Sequence, residues 1–330
     1  MCWPSRDRRS WSQRTLSTTD QADSQTVAPA RLPLDRSRQA ADYLRSAGHG
    51  VMDTIAHFWD RLAQTPPLAR DDLHLVMAGP GITDPAAADF ADACGVMLYV
   101  PKAHRADVLA LSPQAANAMC QYLEKWWAGG QAQRTTTPPA DGSVTPLPIN
   151  YVTGLSDGVD AMTPHLLAMT DRKAPARRTV NVMMTLPKDR PATLCARVRL
   201  ARDGDEPVLN RWRKLYNQER GILFDADINA WIESRNVYVH EVNGEIVALA
   251  KFDLVLPMTV EIGGVFTFPA YRKQGLGCEL VHDLVCRIRQ MGKTPLLQVD
   301  IENQPALALY HKMSWVELGR LTRIWLTSVS

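Results

Sequence analysis

The sequence predicts an α/β protein, and three observations support that prediction. From Leu194 onward, apolar stretches of strand length alternate with stretches of helical periodicity. Two apolar runs flank Asn243-Gly244, which is the two-residue signature of a β-hairpin. An apolar strand ending near Thr267 leads through a basic, glycine-containing turn into a strongly amphipathic helix. We therefore expect a sheet and helices within one fold.

The length and composition fit a protein of two ordinary globular domains. The chain has 330 residues, about twice the typical domain length of roughly 150. It is 45% hydrophobic and 22% charged, with a formal net charge of +2. Because the net charge is so small, we expect no nucleic-acid partner. No apolar run approaches the roughly 20 residues of a membrane span, so we expect no membrane partner either.

The cysteines and the N-terminus bear on metal content and compartment. The six cysteines form no Cys-x-x-Cys pair and show no zinc-like spacing with histidine, so we expect free thiols and no metal site. Free thiols are typical of a reducing compartment. The basic N-terminal start is followed by polar residues instead of an apolar segment, so it is not a secretory signal. We therefore expect a cytoplasmic protein; the sequence carries no signal for its oligomeric state.

The N-terminal third is predicted to be a polar arm followed by a smaller α/β domain. Residues 1–35 are rich in Ser, Thr, Gln and Arg without a sustained apolar period, which predicts a disordered arm. Residues 36–128 begin with helical periodicity and contain short apolar strands at 73–78 and 96–100. A helix follows, beginning with Ser and Pro near residue 112.

Residues 129–193 are predicted to be a linker and connecting segment. The first part contains TTTPPADGS and has few residues able to bury apolar surface. The second part contains a short helix candidate at 165–170 and a strand candidate at 180–186. A basic cluster lies between them. It is either a solvated loop or a contact with an acidic substrate or a cofactor phosphate.

The order of elements is clearest from residue 194 onward. The predicted elements are a strand at 195–200, helices at 203–218 and 225–234, strands at 237–242, 246–252 and 259–267, a long helix after 276, a strand at 294–301, a helix at 305–313 and a closing strand at 315–326.

The segment from Thr259 to Gly277, TVEIGGVFTFPAYRKQGLG, carries the main functional signal. Free N–H groups at a helix start, with a dipole charge of roughly half an electron there, can hold a pyrophosphate. Gly275 and Gly277 lack side chains where the backbone must approach phosphate, and basic residues precede them. The earlier Gly-Gly pair is either part of this site or a β-bulge without a chemical role.

This order of elements resembles the GNAT N-acetyltransferase superfamily over about 135 residues, 194–330. The run RKQGLG at 272–277 matches the cofactor signature Arg/Gln-x-x-Gly-x-Gly/Ala, and NQPALALY at 303–310 resembles Asn-x-x-Ala-x-x-x-Tyr. The resemblance implies a central mixed, mostly antiparallel sheet flanked by helices, with a smaller N-terminal α/β domain. Residues 36–128 are then either a degenerate second GNAT-like half or an unrelated α/β domain that lines the acceptor cleft.

The resemblance implies an acetyl-CoA-dependent N-acetyltransferase that transfers acetyl directly to a primary amine of a small molecule, peptide or protein. A backbone N–H donor at the developing oxyanion is commonly worth on the order of a hundredfold in rate. The alternative is a non-catalytic acyl-CoA-binding scaffold or regulator with a GNAT-like fold. The residues that the resemblance assigns to the cofactor are Val265, Phe266, Thr267, Arg272, Lys273, Gln274, Gly275, Leu276, Gly277 and Asn303.

Two residues are candidates for proton transfer. By the resemblance, Tyr310 matches a tyrosine that donates a proton to the departing CoA thiolate, and a phenol with a pKa near 10 suits that role. Glu261 lies eleven residues before the signature arginine, where histone-type GNAT enzymes carry their catalytic glutamate. We expect its side chain to point away from those of Val260 and Ile262. His240 is a second candidate base, and the alternatives are a packed tyrosine and an ordinary exposed glutamate.

Overall fold

A computed structural model describes residues 27–47, 56, 73–80, 89–100, 104–134, 149–221 and 225–327. The strands are β1 (Val27–Leu32), β2 (His74–Pro80), β3 (Gly95–Val100), β4 (Arg105–Ala110), β5 (Tyr151–Leu155), β6 (Arg177–Thr185), β7 (Val198–Leu200), β8 (Val237–Val242), β9 (Glu245–Val255), β10 (Thr259–Thr267), β11 (Thr294–Asp300) and β12 (Val316–Trp325). The α-helices are α1 (Ser37–Ala47), α2 (Pro113–Arg134), α3 (Ser156–Met169), α4 (Glu206–Arg220), α5 (Ile228–Glu233), α6 (Leu276–Gln290) and α7 (Gln304–Lys312).

All twelve strands belong to one sheet, in the order β1-β2-β3-β4-β5-β12-β6-β11-β10-β9-β8-β7. Two neighbouring pairs, β4 with β5 and β10 with β11, are parallel. The other neighbours pair antiparallel. The predicted mixed, mostly antiparallel sheet flanked by helices is therefore confirmed.

The order of elements in the first half of the chain is repeated in the second half. Each half has a strand, helical structure, three antiparallel strands, a helix, a strand parallel to the third of them, a second helix and a final strand. If β1 to β6 are matched in chain order with β7 to β12, each strand and its match lie at equal distances from opposite edges of the sheet. The sheet thus has a topological two-fold between the halves.

The two halves exchange their final strands. β6 ends the first half but pairs with β11 of the second, and β12 ends the second half but pairs with β5 of the first. β6 and β12 also pair with each other along nine residue pairs at the centre of the sheet. Because backbone hydrogen bonds join the halves here, neither half completes its sheet alone.

Regular elements occupy parts of two segments that lie outside the predicted domains. Residues 129–193, predicted to be a linker and connecting segment with a helix at 165–170 and a strand at 180–186, contain the end of α2 together with β5, α3 and β6. β5 escaped prediction because it has only five residues and runs directly into α3. Residues 1–35, predicted to be a disordered arm, include β1, an edge strand that pairs with β2 along its whole length and contains Pro29. Residues 1–26 and 135–148 lie outside the described part.

Each face of the sheet is covered by helices from both halves. On one face, α2 and α3 pack on the first half, and α6 and α7 pack on the second. On the other face, α1 packs on the first half, and α4 and α5 pack on the second. Alternation along each strand separates the two layers; on β6, for example, Met183 belongs to the α1 layer and Met184 to the α6 layer. Among the described helices, none is both long and apolar enough to cross a membrane.

Candidate functional site

The parallel contact between β10 and β11 stops part of the way along both strands. Their pairing ends at Ile262 with Leu297, although β10 continues for five more residues and β11 for three. On its other edge β10 carries a bulge, because two of its residues, Gly264 and Val265, lie opposite a single residue of β9 between two paired positions. A bulge bends its strand and increases the local twist. The bend opens a gap between β10 and β11.

Main-chain groups of β10 face this gap. Phe266 and Phe268 make their backbone contacts with β9. Since the hydrogen-bonding direction alternates along a strand, the N–H and C=O groups of Val265 and Thr267 point the other way, into the gap. The Thr267 carbonyl accepts a hydrogen bond from Arg272 Nε at 2.9 Å. Of the three residues predicted to present main-chain groups to the cofactor, Val265 and Thr267 have theirs directed at the gap, whereas Phe266 pairs with β9 and packs its ring under α4.

Helix α6 begins at the end of this gap with free N–H groups. Gly275, its N-cap residue, has a left-handed φ of 82° and offers no side-chain cap. A Cβ added to Gly275 would meet no atom within 4 Å, so the space beside it is open. The first helical bond runs from the Glu279 N–H to the Gly275 carbonyl. The N–H groups of Leu276, Gly277 and Cys278 therefore remain available to an anion.

Arg272 of the predicted signature is engaged within the protein. It donates two hydrogen bonds to the Glu219 carboxylate, at 2.7 and 2.9 Å, and its guanidinium lies 5.2 Å from the centre of the Phe266 ring. With the bond to the Thr267 carbonyl, these contacts tie the turn to both α4 and β10. Its charge is balanced by Glu219, so Arg272 holds the turn in shape. Lys273 is exposed, at a positive φ of 63°, at the rim.

Two further residues of the predicted cofactor set have local partners. Gln274 Nε2 lies 3.4 Å from the Ala270 carbonyl within the turn. Asn303 is the N-cap of α7, and its side-chain oxygen accepts a hydrogen bond from the Ala306 N–H at 3.4 Å. Asn303, which lies three residues beyond the end of β11, therefore sets where α7 starts.

Tyr310 on α7 lies at the gap on the α6 face of the sheet. It is 5% exposed, and its ring centre is 5.8 Å from that of Trp315. Burial, assisted by the nearby Tyr216 and Cys278, raises the pKa of the Tyr310 phenol above its ordinary value. Tyr216 belongs to α4 on the opposite face. The raised pKa keeps the Tyr310 phenol protonated but makes it a weaker acid than a free phenol, so donation requires the strongly basic thiolate that leaves CoA.

Glu261 lies on the opposite face from Tyr310, in agreement with the expected alternation. Val260 and Ile262 are buried beneath α6, so Glu261 points to the face of α4 and α5. Its Oε1 accepts a hydrogen bond from Gln298 Nε2 at 2.9 Å. Gln298 Oε1 in turn accepts one from Arg323 Nη2 at 2.6 Å, and Arg323 reaches across β6 from β12. This relay fixes the orientation of the Gln298 amide and of the carboxylate.

The face around Glu261 carries a second acidic group that the sequence analysis missed. Asp253 on β9 covers Gly263, since a Cβ added there would lie 1.7 Å from Asp253 Oδ2. Asp253 forms an ion pair with Lys251, and the Lys251 ammonium lies 4.3 Å from the centre of the Trp231 ring. From the sequence, strand alternation predicts that Gln298 and Asp253 point away from the face that α6 covers. It does not predict which side chains they contact.

His240, the second candidate base, does not join Glu261. It has no exposed surface, and burial lowers its pKa. Its side chain lies on the α6 face, where Nε2 is 3.3 Å from Glu279 Oε2 and 3.7 Å from Cys195 Sγ. The sequence analysis expected no metal ligands and missed this group, because Cys195 is 45 residues from His240 and 84 from Glu279 along the chain.

Comparisons with known proteins agree with this geometry. Residues 206–315 match the sequence model described as the Acetyltransferase (GNAT) family. A search of curated proteins found no match. The chain resembles the crystal structure of a GCN5-related N-acetyltransferase from Sphaerobacter thermophilus, with a TM-score of 0.53 and 14% identity, over 92% of this chain and 97% of that one. It also resembles an X-ray structure of a Drosophila protein, with a TM-score of 0.53 and 12% identity, over 91% and 99% of the two chains. At these identities the two structures support the fold alone.

Proposed function

We propose that the protein is an N-acetyltransferase that uses acetyl-CoA as its acyl donor and a primary amine as its acceptor; the match of residues 206–315 to the GNAT acetyltransferase family supports this. The observation that carries this proposal is the gap between β10 and β11, which leads to the open start of α6. A gap lined by main-chain groups suits a pantetheine arm. Three free N–H groups at a helix start suit a pyrophosphate.

The residues present fit acetyl-CoA at this site. The N–H groups of Leu276, Gly277 and Cys278 would hold the pyrophosphate, with Lys273 adding positive charge at the rim. The main chain of Val265 and Thr267 would hold the pantetheine arm and the acetyl carbonyl. When bound, acetyl-CoA supplies an acetyl group activated as a thioester.

The two candidate proton-transfer residues lie on opposite sides of the gap. Glu261 would accept a proton from the acceptor nitrogen, directly or through water, on the face of α4 and α5. Tyr310 would donate a proton to the departing sulfur from the α6 face. The acceptor amine would therefore enter from the side of α4 and α5. The Glu261 carboxylate there favours a cationic acceptor, whereas the charge of Asp253 is balanced by Lys251.

The test is an acceptor screen with the full-length protein, following thiol release from acetyl-CoA with small amines, polyamines, amino acids and peptides. We expect release with at least one amine class, reduced by Glu261→Gln and by Tyr310→Phe. The matched controls are Glu233→Gln, an exposed carboxylate on α5, and Tyr238→Phe, a buried phenol of the same core. Tight acetyl-CoA binding without thiol release for every acceptor class would contradict the enzymatic proposal and favour a non-catalytic acyl-CoA-binding protein.

The compartment is part of the proposal. Within the described residues, Cys94, Cys120, Cys195, Cys278 and Cys286 are all free thiols. Free thiols are typical of proteins kept in a reducing environment. We therefore propose that the protein works in the cytoplasm, where acetyl-CoA is also available as a substrate.

A further inference from the structure

A cysteine, a histidine and a glutamate from three separate elements meet beside helix α6. Cys195 precedes β7, His240 lies on β8, and Glu279 lies in the first turn of α6. Cys195 Sγ is 3.7 Å from His240 Nε2 and 3.7 Å from Glu279 Oε2, and the latter two atoms are 3.3 Å apart. The acetyl transfer proposed above uses none of these side chains, so their convergence calls for another explanation.

The separations of the three donor atoms match those around one tetrahedral zinc ion. Zinc binds thiolate sulfur at about 2.3 Å and imidazole nitrogen or carboxylate oxygen at about 2.0–2.2 Å. Tetrahedral angles then place nitrogen and oxygen about 3.3 Å apart, and sulfur about 3.5 Å from each of them. The observed 3.3, 3.7 and 3.7 Å differ from these values by about 0.2 Å or less. We propose that Cys195, His240 and Glu279 bind a Zn²⁺ ion.

The protein holds the three donors in place through its backbone. The Cys195 N–H donates to Asp283 Oδ1 at 2.8 Å, and the fully buried Asp283 also accepts from Arg287 Nε at 2.5 Å. Asp283 lies one helical turn after Glu279, so α6 positions both the glutamate and the cysteine. His240 is held by strand pairing on both sides, with β7 and with β9. Little rearrangement of the backbone is therefore needed when the ion binds.

The donor set also indicates the kind of ion. A thiolate ligand favours zinc and other thiophilic metals over Mg²⁺ and Ca²⁺, which take oxygen ligands. Thiolate and carboxylate charges together balance the charge of a divalent ion. Binding therefore requires the Cys195 thiol to release its proton. His240 Nδ1 has no hydrogen-bond partner among the described residues. Since an ion on Nε2 would leave Nδ1 in the same surroundings, this atom favours neither the metal-free nor the metal-bound site.

Two of the three donors, Cys195 and Glu279, line an open cavity of about 540 Å³ together with Thr193, Arg197, Cys278 and His282. We expect the fourth coordination position to face this cavity. Water can therefore complete the tetrahedron. Arg197 now pairs with Glu279 Oε2 at 2.5 Å, but its side chain is 48% exposed and can turn into the cavity when the ion binds. The ion would join the segment that connects the two halves to β8 and α6 of the second half.

The test uses untagged, full-length protein stripped of metal and titrated with Co²⁺ and then Zn²⁺. We expect one equivalent of Co²⁺ to give a thiolate-to-cobalt absorption band, Zn²⁺ to displace it, and Zn²⁺ to raise the unfolding temperature. Cys195→Ser and Glu279→Gln are partly exposed positions, and we expect each to weaken binding at least tenfold. Cys286→Ser, which alters another partly exposed thiol on α6, is the matched control and should leave binding unchanged.

Three results would overturn the assignment. One is the absence of the cobalt band in wild-type protein. Another is a band that persists in Cys195→Ser, which would place the metal elsewhere. The third is equal loss in Cys195→Ser and Cys286→Ser. Circular dichroism of each metal-free variant establishes that it is folded before the titration.

Discussion

The two halves of the molecule share one order of elements but differ where the second half forms its candidate site. In the second half, thirteen residues separate Ile262, the last residue of β10 paired with β11, from the start of α6. In the first half, four residues separate Val108, the last residue of β4 paired with β5, from the start of α2. The Ser112 hydroxyl also accepts a hydrogen bond from the Ala115 N–H at 3.1 Å. The start of α2 is therefore capped, without a turn that could receive phosphate.

The first half also fills the space that is open in the second. A Cβ added to Gly154 on β5 would lie 1.9 Å from the Val108 carbonyl oxygen, so β5 lies directly against β4. Gly158 on α3 also packs closely on Ala110, where an added Cβ would be 3.0 Å from that residue. These glycines allow close packing, whereas Gly275 borders open space. We infer that the first half is a degenerate copy without a cofactor gap, which supplies β6 to the sheet of the second half.

Structural counterparts of the candidate catalytic residues can be read from the register. Asp107 pairs with Thr153 as the third of four parallel pairs between β4 and β5, and Glu261 occupies the same place between β10 and β11. Asp107 is fully buried, with Arg105 Nε at 2.7 Å from its Oδ1. The first half thus keeps a carboxylate at this position but encloses it in the core.

The counterpart of Tyr310 is a leucine. Helices α3 and α7 end alike, because the Arg172 N–H bonds to the Leu167 carbonyl as the Trp315 N–H bonds to the Tyr310 carbonyl. Leu167 therefore occupies the position of Tyr310 and cannot donate a proton. Together with the short β4–α2 connection, this places the proposed chemistry in the second half alone.

The largest expected effect comes from adding a negative charge at the start of α6. Gly277→Asp puts a carboxylate beside the proposed pyrophosphate position. Its Cβ would lie 3.2 Å from Thr267 Oγ1, so the threonine side chain must shift slightly, while an acidic residue in a first helical turn is otherwise favourable. Two unit charges about 4 Å apart repel by about 4 kcal/mol near a protein surface, so acetyl-CoA affinity should fall about a thousandfold. Isothermal titration calorimetry with acetyl-CoA measures this loss.

The matched control makes the same change at the start of the other helix. Gln114→Asp adds a carboxylate to the first turn of α2 at an exposed position. We expect acetyl-CoA affinity to stay within twofold of wild type. Equal losses in the two variants would contradict the difference drawn between the halves.

The next effect compares the two carboxylates that share a register position. Glu261→Gln removes the proposed base and should lower kcat about a hundredfold, with stability changed by less than about 0.5 kcal/mol. Asp107→Asn breaks a partly buried ion pair and should destabilise the protein by about 1–3 kcal/mol, with kcat unchanged in the folded fraction. Steady-state kinetics and urea unfolding of both variants test the contrast. A stable Asp107→Asn variant with reduced kcat would reverse it.

The elements of the second half could be predicted from sequence because local signals mark them. Asn243-Gly244 marks the β8–β9 turn, and alternation around Glu261 gave its orientation. In the first half, apolar runs marked β2, β3 and β6, and the Ser-Pro start marked α2, but β4 carried no such signal. In its sequence RADVLA the charged Arg105 and Asp107 interrupt the apolar pattern, and their pairing inside the sheet cannot be read from the sequence.

Long-range partners could not be predicted from local patterns. The exchange of β6 and β12 depends on pairing between residues more than a hundred positions apart. The Cys195 group likewise joins residues 45 and 84 positions apart. In each case the sequence shows which residues can be buried or can form strands, but not which distant residue they meet.

A smaller effect tests whether the exchanged strand contributes to the site. Arg323 on β12 holds the Gln298 amide so that its NH₂ group faces Glu261. In Arg323→Met the amide can flip and present oxygen to the carboxylate, so we expect kcat to fall about three- to tenfold with an unchanged KM for acetyl-CoA. Arg320→Met, on the opposite face of β12, is the control. In the Glu261→Gln background, Arg323→Met should have no further effect; an additive loss would show that Arg323 acts by another route.

The smallest effect compares the ends of α3 and α7, where Asp171 and Ser314 have positive φ values of 51° and 64°. A left-handed conformation costs a residue with a Cβ about 1–2 kcal/mol, and glycine avoids this cost but loses more entropy on folding. Ser314→Gly should therefore stabilise the protein by less than about 1 kcal/mol. Asp171→Gly should gain less, because aspartate tolerates this conformation better than serine. Urea unfolding measures both, and a larger gain at Asp171 would contradict the comparison. Because position 314 only ends the helix that carries Tyr310, the Ser314→Gly variant should keep its wild-type kcat.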